Sequence, residues 1–241
     1  MVLEQLGDFL YSTTVLFAFI TALSGGLMLN SLFHNKLKDL FSDNTFFIYF
    51  FLVAGYALFA LGELTWYLIF KVFGKVAPAS MPDVYWTLGS VILVISFFGF
   101  AVSLYRQHRE FNNLVIMLIG GAVLLGAVIF YLSGIDLVAL AANRGHVFIG
   151  FLYPLASSLM VVFSLTIPLY YHQIEHFRNS LLFLFFANIG TLAGDLLYIS
   201  STVEAGGIPS TFYNLAYSIA YFLAAIGFVS MYIEARRKIS D

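Results

Sequence analysis

The sequence predicts an all-α, polytopic membrane protein of seven transmembrane helices, built as a 3+1+3 parallel internal repeat. Three observations carry that expectation. Hydrophobic residues make up 61% of the chain, charged residues only 10%, and mean hydropathy is +0.93, which leaves too little polar surface for a water-soluble globule. The charges fall between long apolar runs, and about 20 apolar residues suffice to cross a bilayer. Two copies of one pattern recur, each placing a carboxylate inside such a run: Gly62-Glu63-Leu64-Thr65-Trp66-Tyr67, and later Gly194-Asp195-Leu196-Leu197-Tyr198.

The first run, residues 9–33, follows Glu4 and Asp8 rather than the basic leader of a cleavable signal peptide, so it reads as a helix of the mature protein. The second, 46–70, ends in the first acid motif, and its loop closes with Pro78-Ala79-Ser80-Met81-Pro82-Asp83. Ser80 is placed to cap the third run, 84–105, with Asp83 in its first turn, which makes Asp83 a capping acid rather than a functional one. The fourth run, 114–134, is the linker between the halves. The fifth, 147–171, carries Pro154 and Pro168 and is expected to bend, since neighbouring helices can satisfy the freed carbonyls. The sixth, 181–201, holds the second acid, and Pro209-Ser210 then starts the seventh, 212–233, with Ser210 as its N-cap. The whole chain, 1–241, reads as one membrane domain, with halves at about 9–105 and 147–233. The second copy is offset from the first by four helices, so both have the same orientation, as in parallel repeats about the membrane normal. Gly25-Gly26, Gly62 and Gly120-Gly121 read as small-residue helix contacts.

Lys and Arg on alternate loops set the topology. Lys36, Lys38, Arg106, Arg109, Arg178, Arg236, Arg237 and Lys238 lie on one side; Lys71, Lys75 and Arg144 lie on the other. This places the protein in the cell membrane with its N-terminus outside and its C-terminus cytoplasmic. The basic tail reads as a topology anchor that contacts anionic lipid. Zero cysteine excludes disulfides and thiolate chemistry, and a net charge of −2 gives no sign of a nucleic-acid partner.

The sixth run sets Asn188, Thr191, Asp195 and Tyr198 at steps of three, four and three, one helical face that should avoid lipid. The second run carries a more aromatic version with Tyr56, Glu63, Trp66 and Tyr67. The seventh adds Asn214, Tyr217 and Tyr221, and the third adds Thr87 and Ser90. At about 1.5 Å of rise per residue, Glu63, Asp195, Thr87 and Asn214 should share one depth, around a polar, aromatic-walled cavity that opens outward. The candidate ligand-binding residues are therefore Glu63, Trp66, Tyr67, Thr87, Asn188, Thr191, Asp195, Tyr198, Asn214 and Tyr217. An intramembrane acid is a functional candidate by default. The competing reading is structural: both acids hydrogen-bond neighbouring Tyr, Thr or Asn and hold helices together.

Other chemistries are less well supplied. His34, His108, His172 and His176 fall at one set of predicted helix ends and His146 at the other, so no imidazole lies near the midplane to hold a haem. His172-Gln173-Ile174-Glu175-His176 matches a zinc-hydrolase pattern, and on a helix its two imidazoles could share a metal, with a third ligand from His34 or His108. The plainer reading is an interfacial segment that ends a span, with no metal. The seventh run contains no Lys, which excludes a retinal Schiff base there. No cofactor is expected, and the chain reads as non-enzymatic.

The Gly62–Tyr67 motif and the Pro78–Tyr85 segment that follows it resemble prokaryotic seven-transmembrane input (sensor) modules of the type fused to histidine kinases and diguanylate cyclases. There a Gly-acid-x-x-Trp segment precedes Pro-Ser-x-x-Asp-x-x-Tyr. The likeness covers about a fifth of the chain, mainly the second and third runs. It implies a membrane sensor with its output on the cytoplasmic side after the seventh helix. Here only Glu234–Asp241 follow that helix, too short for a kinase or cyclase, so signalling would pass through a cytoplasmic or membrane protein. The expected role is a receptor-like module binding a small molecule or lipid. A small-solute transporter with its site between three-helix repeats is the alternative, weakened by the lack of a Pro-Gln pair in the early helices. A metal-dependent membrane lipid hydrolase rests on the His172–His176 segment alone.

Overall fold

A computed structural model of the chain describes residues 2–33, 44–74, 81–135, 147–203 and 209–240. Its regular elements are all helical: α1 (Val2–Leu32), α2 (Asn44–Tyr67), α3 (Met81–His108), α4 (Phe111–Ser133), α5 (Val147–Ser164), α6 (Thr166–Leu169), α7 (Arg178–Val203) and α8 (Ser210–Ser240). Seven spans are long and apolar enough to cross a membrane, with α5 and α6 together supplying the fifth. They agree with the apolar runs of the sequence. Most helices extend a few residues further, because backbone hydrogen bonding continues beyond the apolar stretch. A wider π-helical turn, Leu68–Val72, ends the second span.

Six helices close a ring: α1 packs on α2, α2 on α3, α3 on α5, α5 on α7, α7 on α8, and α8 back on α1. The α1–α8 seam is the most extensive contact, and its chemistry explains why. Thr14, Ala18, Thr21, Gly25 and Met28 recur at alternating steps of four and three, all buried. Facing them, Thr211, Asn214, Ser218, Tyr221, Ala225 and Phe228 follow the same spacing, the pattern that keeps two helices in register along a shallow left-handed crossing. Hydroxyls bridge the seam: Thr14 and Ser218 share a hydrogen bond of 2.7 Å, and Thr21 donates to the Tyr221 carbonyl at 2.8 Å. Gly25 lets two neighbours approach at once, since a Cβ there would meet the Phe228 ring of α8 at 3.4 Å and the Val53 side chain of α2 at 3.1 Å.

α4 stands outside the ring against α5 and α6. It is apolar all round yet buries only Gly121, Val128 and Leu132, and leaves Phe130 81% exposed. Such a surface needs lipid to cover it. The expected linker helix thus has the placement of a lipid-facing appendage.

The fifth span breaks where Pro168 dictates. A proline ring clashes with the carbonyl four residues earlier, and α5 ends at that residue, Ser164, before α6 resumes at Thr166. Pro154, by contrast, lies inside a continuous helix. At the start of the seventh span the expected cap shifts by one residue: Ser210 is already helical, and the first turn closes with Phe212 N–H donating to the Pro209 carbonyl at 3.0 Å. Asp83 occupies the first turn of α3 as expected, whereas its partner Ser80 lies outside the described residues. Of the paired glycines, Gly26 has no atom within 4 Å of an added Cβ, so it makes no close helix contact.

Candidate functional site

Both intramembrane acids are buried, Glu63 on α2 at 6% exposure and Asp195 on α7 at 8%. The residue before each explains how they are seated. A Cβ at Gly62 would sit 2.5 Å from the Trp86 indole, and one at Gly194 would sit 2.5 Å from the Tyr217 ring. In both motifs, therefore, the bare glycine backbone lets an aromatic ring from the next span lie against it, beside the carboxylate.

Asp195 Oδ1 accepts from the Tyr217 hydroxyl at 2.6 Å, and Oδ2 accepts from the Ser157 hydroxyl of α5 at 2.7 Å. Glu63 Oε1 accepts from the Tyr221 hydroxyl at 3.1 Å. The Trp86 indole N–H lies beside the same carboxyl without completing a well-formed hydrogen bond. Tyr217 and Tyr221 are four apart on α8, hence on one face, and each hydroxyl lies within electrostatic range of both carboxylates. Among the described residues neither acid forms an ion pair, so the pair is held by hydroxyl donors alone.

Around this cluster, Trp66 packs on Trp86 with ring centroids 6.0 Å apart, and Trp86 meets Tyr153 edge-on at 6.4 Å. The Tyr153 hydroxyl donates to Asp83 Oδ1 at 3.1 Å and also meets Thr87. Asp83 thus ties α3 to α5 in addition to its place in the first helical turn. Tyr67 stacks on Tyr11 at 6.1 Å, and the Tyr11 hydroxyl donates to the Glu63 carbonyl at 3.1 Å.

The remaining expected site residues divide. Asn188 is 1% exposed with its amide nitrogen unpartnered, as is the Tyr56 hydroxyl; each precedes an acid by seven residues, two turns deeper on the same helix face. Asn214 turns away from the acids and donates to the Gly7 carbonyl of α1 at 3.3 Å. Thr191 bonds its own helix at Ala187, and Tyr198 packs edge-on against Tyr213 at 5.3 Å. Five contributors stand outside the candidate list: Tyr11, Trp86, Tyr153, Ser157 and Tyr221, of which Tyr221 was placed on the polar stripe of the seventh run. Of the other four, only the Ser157-Ser158 pair inside an apolar run gave any signal.

His172 and His176 occupy an irregular turn between α6 and α7 and are both exposed. The helical spacing that would have set their imidazoles on one face is missing, because α6 ends at Leu169 and the chain turns before His172. Among the described residues no group of three His, Cys, Asp or Glu side chains is arranged to hold a metal. His34 and His146 lie outside those residues.

No protein-family model, no curated protein and no solved structure matches this chain, so the geometry of the acid cluster stands by itself.

Proposed function

We propose that the chain is a non-enzymatic membrane sensor or receptor-like module in which a small molecule or lipid, meeting the Glu63–Asp195 pair from the outer face of the cell membrane, alters the packing of α8. One observation carries the reading. Adjacent tyrosines of a single helix, Tyr217 and Tyr221, are hydrogen-bonded to different acids on different helices, Asp195 on α7 and Glu63 on α2. A ligand or proton that changes either acid therefore changes what holds α8, and α8 continues unbroken to the opposite end of the bundle. A ligand acts on such an equilibrium through its differential affinity for the two packings. In this reading the N-terminus is outside, the far end of α8 is cytoplasmic, and a partner protein there reads the change. Helices 1–3 and 5–7 of the seven spans act as two related halves, a division supported by the matching seats of Gly62 on Trp86 and Gly194 on Tyr217.

Transport is the second reading, favoured by the lone exclusion of α4 from a six-helix ring, the plan expected of two three-helix repeats and a linker. The native absence of cysteine makes a direct test clean. Spin labels at Gln107→Cys and Arg237→Cys, exposed sites at the same end of α3 and α8, report the ring's width. Glu63→Gln and Tyr221→Phe should each shift the distance distribution, and a compound from a metabolite and lipid panel should shift the wild-type distribution but not that of Tyr221→Phe. Identical distributions throughout would refute the sensor reading. Uptake of labelled solute by proteoliposomes would replace it with transport.

A further inference from the structure

At the end of the bundle opposite the acids, α4 and α3 diverge and leave a cavity of about 260 Å³ bounded also by α5 and α6. Its walls are apolar, formed by Ala101, Val102, Met117 and Phe163. Phe98 lines it while remaining 52% exposed, so the groove communicates with the surface that lipid covers. Tyr105, Arg106 and Asn113 also line it, where the last turn of α3 and the first turn of α4 come to it, though nearly all of the lining surface is apolar.

Arg106 is exposed in the last turn of α3 and makes no ion pair or hydrogen bond among the described residues. Among the described residues no ion pair joins it to the nearby acid. Glu110, in the two-residue link between α3 and α4, is engaged through one carboxylate oxygen by Asn113 Nδ2 at 2.7 Å and through the other by Gln173. Arg109 adds a second exposed positive charge beside it, held at φ +48 where its N–H closes α3 on the Tyr105 carbonyl. His108 is occupied by stacking on Tyr170 at 5.5 Å. The first turn of α4 has no side-chain cap, which leaves the N–H groups at its positive end available to an anion.

We propose that this groove binds an anionic phospholipid, one acyl chain lying between α3 and α4 and the phosphate meeting Arg106. An apolar slot open to the bilayer selects a hydrocarbon chain, and guanidinium recognises phosphate through charge-assisted, paired hydrogen bonds. The position at the end of a span matches where a long basic side chain reaches headgroup depth. The lipid would fill the gap that α4 leaves and fix that helix to the ring.

The test is native mass spectrometry of delipidated protein released from detergent micelles, with phosphatidylglycerol, phosphatidylcholine or inorganic phosphate added. Wild type should retain one phosphatidylglycerol about tenfold more strongly than phosphatidylcholine, the scale of one charge-assisted contact. Arg106→Gln should reduce phosphatidylglycerol to the phosphatidylcholine level, and Val102→Phe, which fills the groove, should weaken both lipids. Arg178→Gln, an exposed charge at the start of α7, should change nothing. Equal retention of the two lipids by wild type would overturn the proposal, as would a preference surviving in Arg106→Gln. An equal loss in Arg178→Gln would show general charge attraction, and displacement of the lipid by inorganic phosphate would show a headgroup site without a chain; either overturns it too. Because Arg106 is exposed, its variant tests the site even if Val102→Phe fails to fold.

Discussion

Asp195→Ala should destabilise the protein by about 2–4 kcal/mol, whereas Asp195→Asn should stay within about 1 kcal/mol of wild type. The difference follows from what each replacement leaves behind. Both Asp195 oxygens are acceptors, one for Tyr217 and one for Ser157. Alanine removes both and opens a small void. Ser157 recovers, because its hydroxyl already lies 2.9 Å from the Tyr153 carbonyl. Tyr217 has no such alternative and keeps a buried hydroxyl without an acceptor, the costly half of any broken hydrogen bond. Asparagine retains one oxygen for Tyr217, and its amide can donate to the Ser157 oxygen once that hydroxyl turns to Tyr153. Equilibrium unfolding in mixed micelles measures both variants, and equal losses for Ala and Asn would show that the hydrogen bonds at Asp195 contribute little. The size of the effect is tempered by the membrane, where measured inter-helix hydrogen bonds average less than their gross strength.

The same contrast marks what was legible in the sequence. A carboxylate within an apolar run stands out because lipid penalises it, so Glu63 and Asp195 could be found without coordinates, and Tyr217 followed from helical spacing. The number and placement of spans were legible for an equally direct reason, since bilayer thickness fixes their length. Ser157 was hidden because a serine inside a helix ordinarily bonds its own backbone, and this one does so as well as reaching Asp195. Tyr11 lies near the start of the first span, where aromatic residues are common for interfacial reasons, and only ring closure brings it to Glu63. Asn214 was drawn to the wrong neighbour because the polar stripe on α8 is wide enough to touch both α7 and α1. The α1–α8 seam itself carries a seven-residue register: Gly7, Thr14 and Thr21 are small or hydroxylated positions in an otherwise bulky helix, and Met28 continues the period as a buried apolar residue. Hydrophobicity masks such a register, since in a membrane helix the lipid-facing residues are as apolar as the buried ones.

Gly194→Ala should cost about 1–3 kcal/mol, the range for overpacking a filled contact, while Gly26→Ala should be neutral or stabilising by up to about 1 kcal/mol. Both are interior helical glycines, so the helix-propensity gain from alanine is the same in kind. Their surroundings differ. Nothing lies within 4 Å of a Cβ at Gly26, whereas at Gly194 it would meet three Tyr217 ring atoms between 2.5 and 2.9 Å. The ring cannot retreat freely, because its hydroxyl is fixed to Asp195 at 2.6 Å, on the residue next to the glycine. The methyl group must therefore displace either α8 or the hydrogen bond. Removing that bond beforehand frees the ring, so Gly194→Ala should cost less in a Tyr217→Phe background than in wild type, by roughly the 1 kcal/mol of one hydrogen bond. Additive losses would mean that the ring and the hydroxyl act independently, and Gly194→Ala as stable as Gly26→Ala would remove the aromatic seat altogether. The coupled outcome makes Gly194 and Asp195 one device, the glycine setting the distance of the helix that the acid then holds.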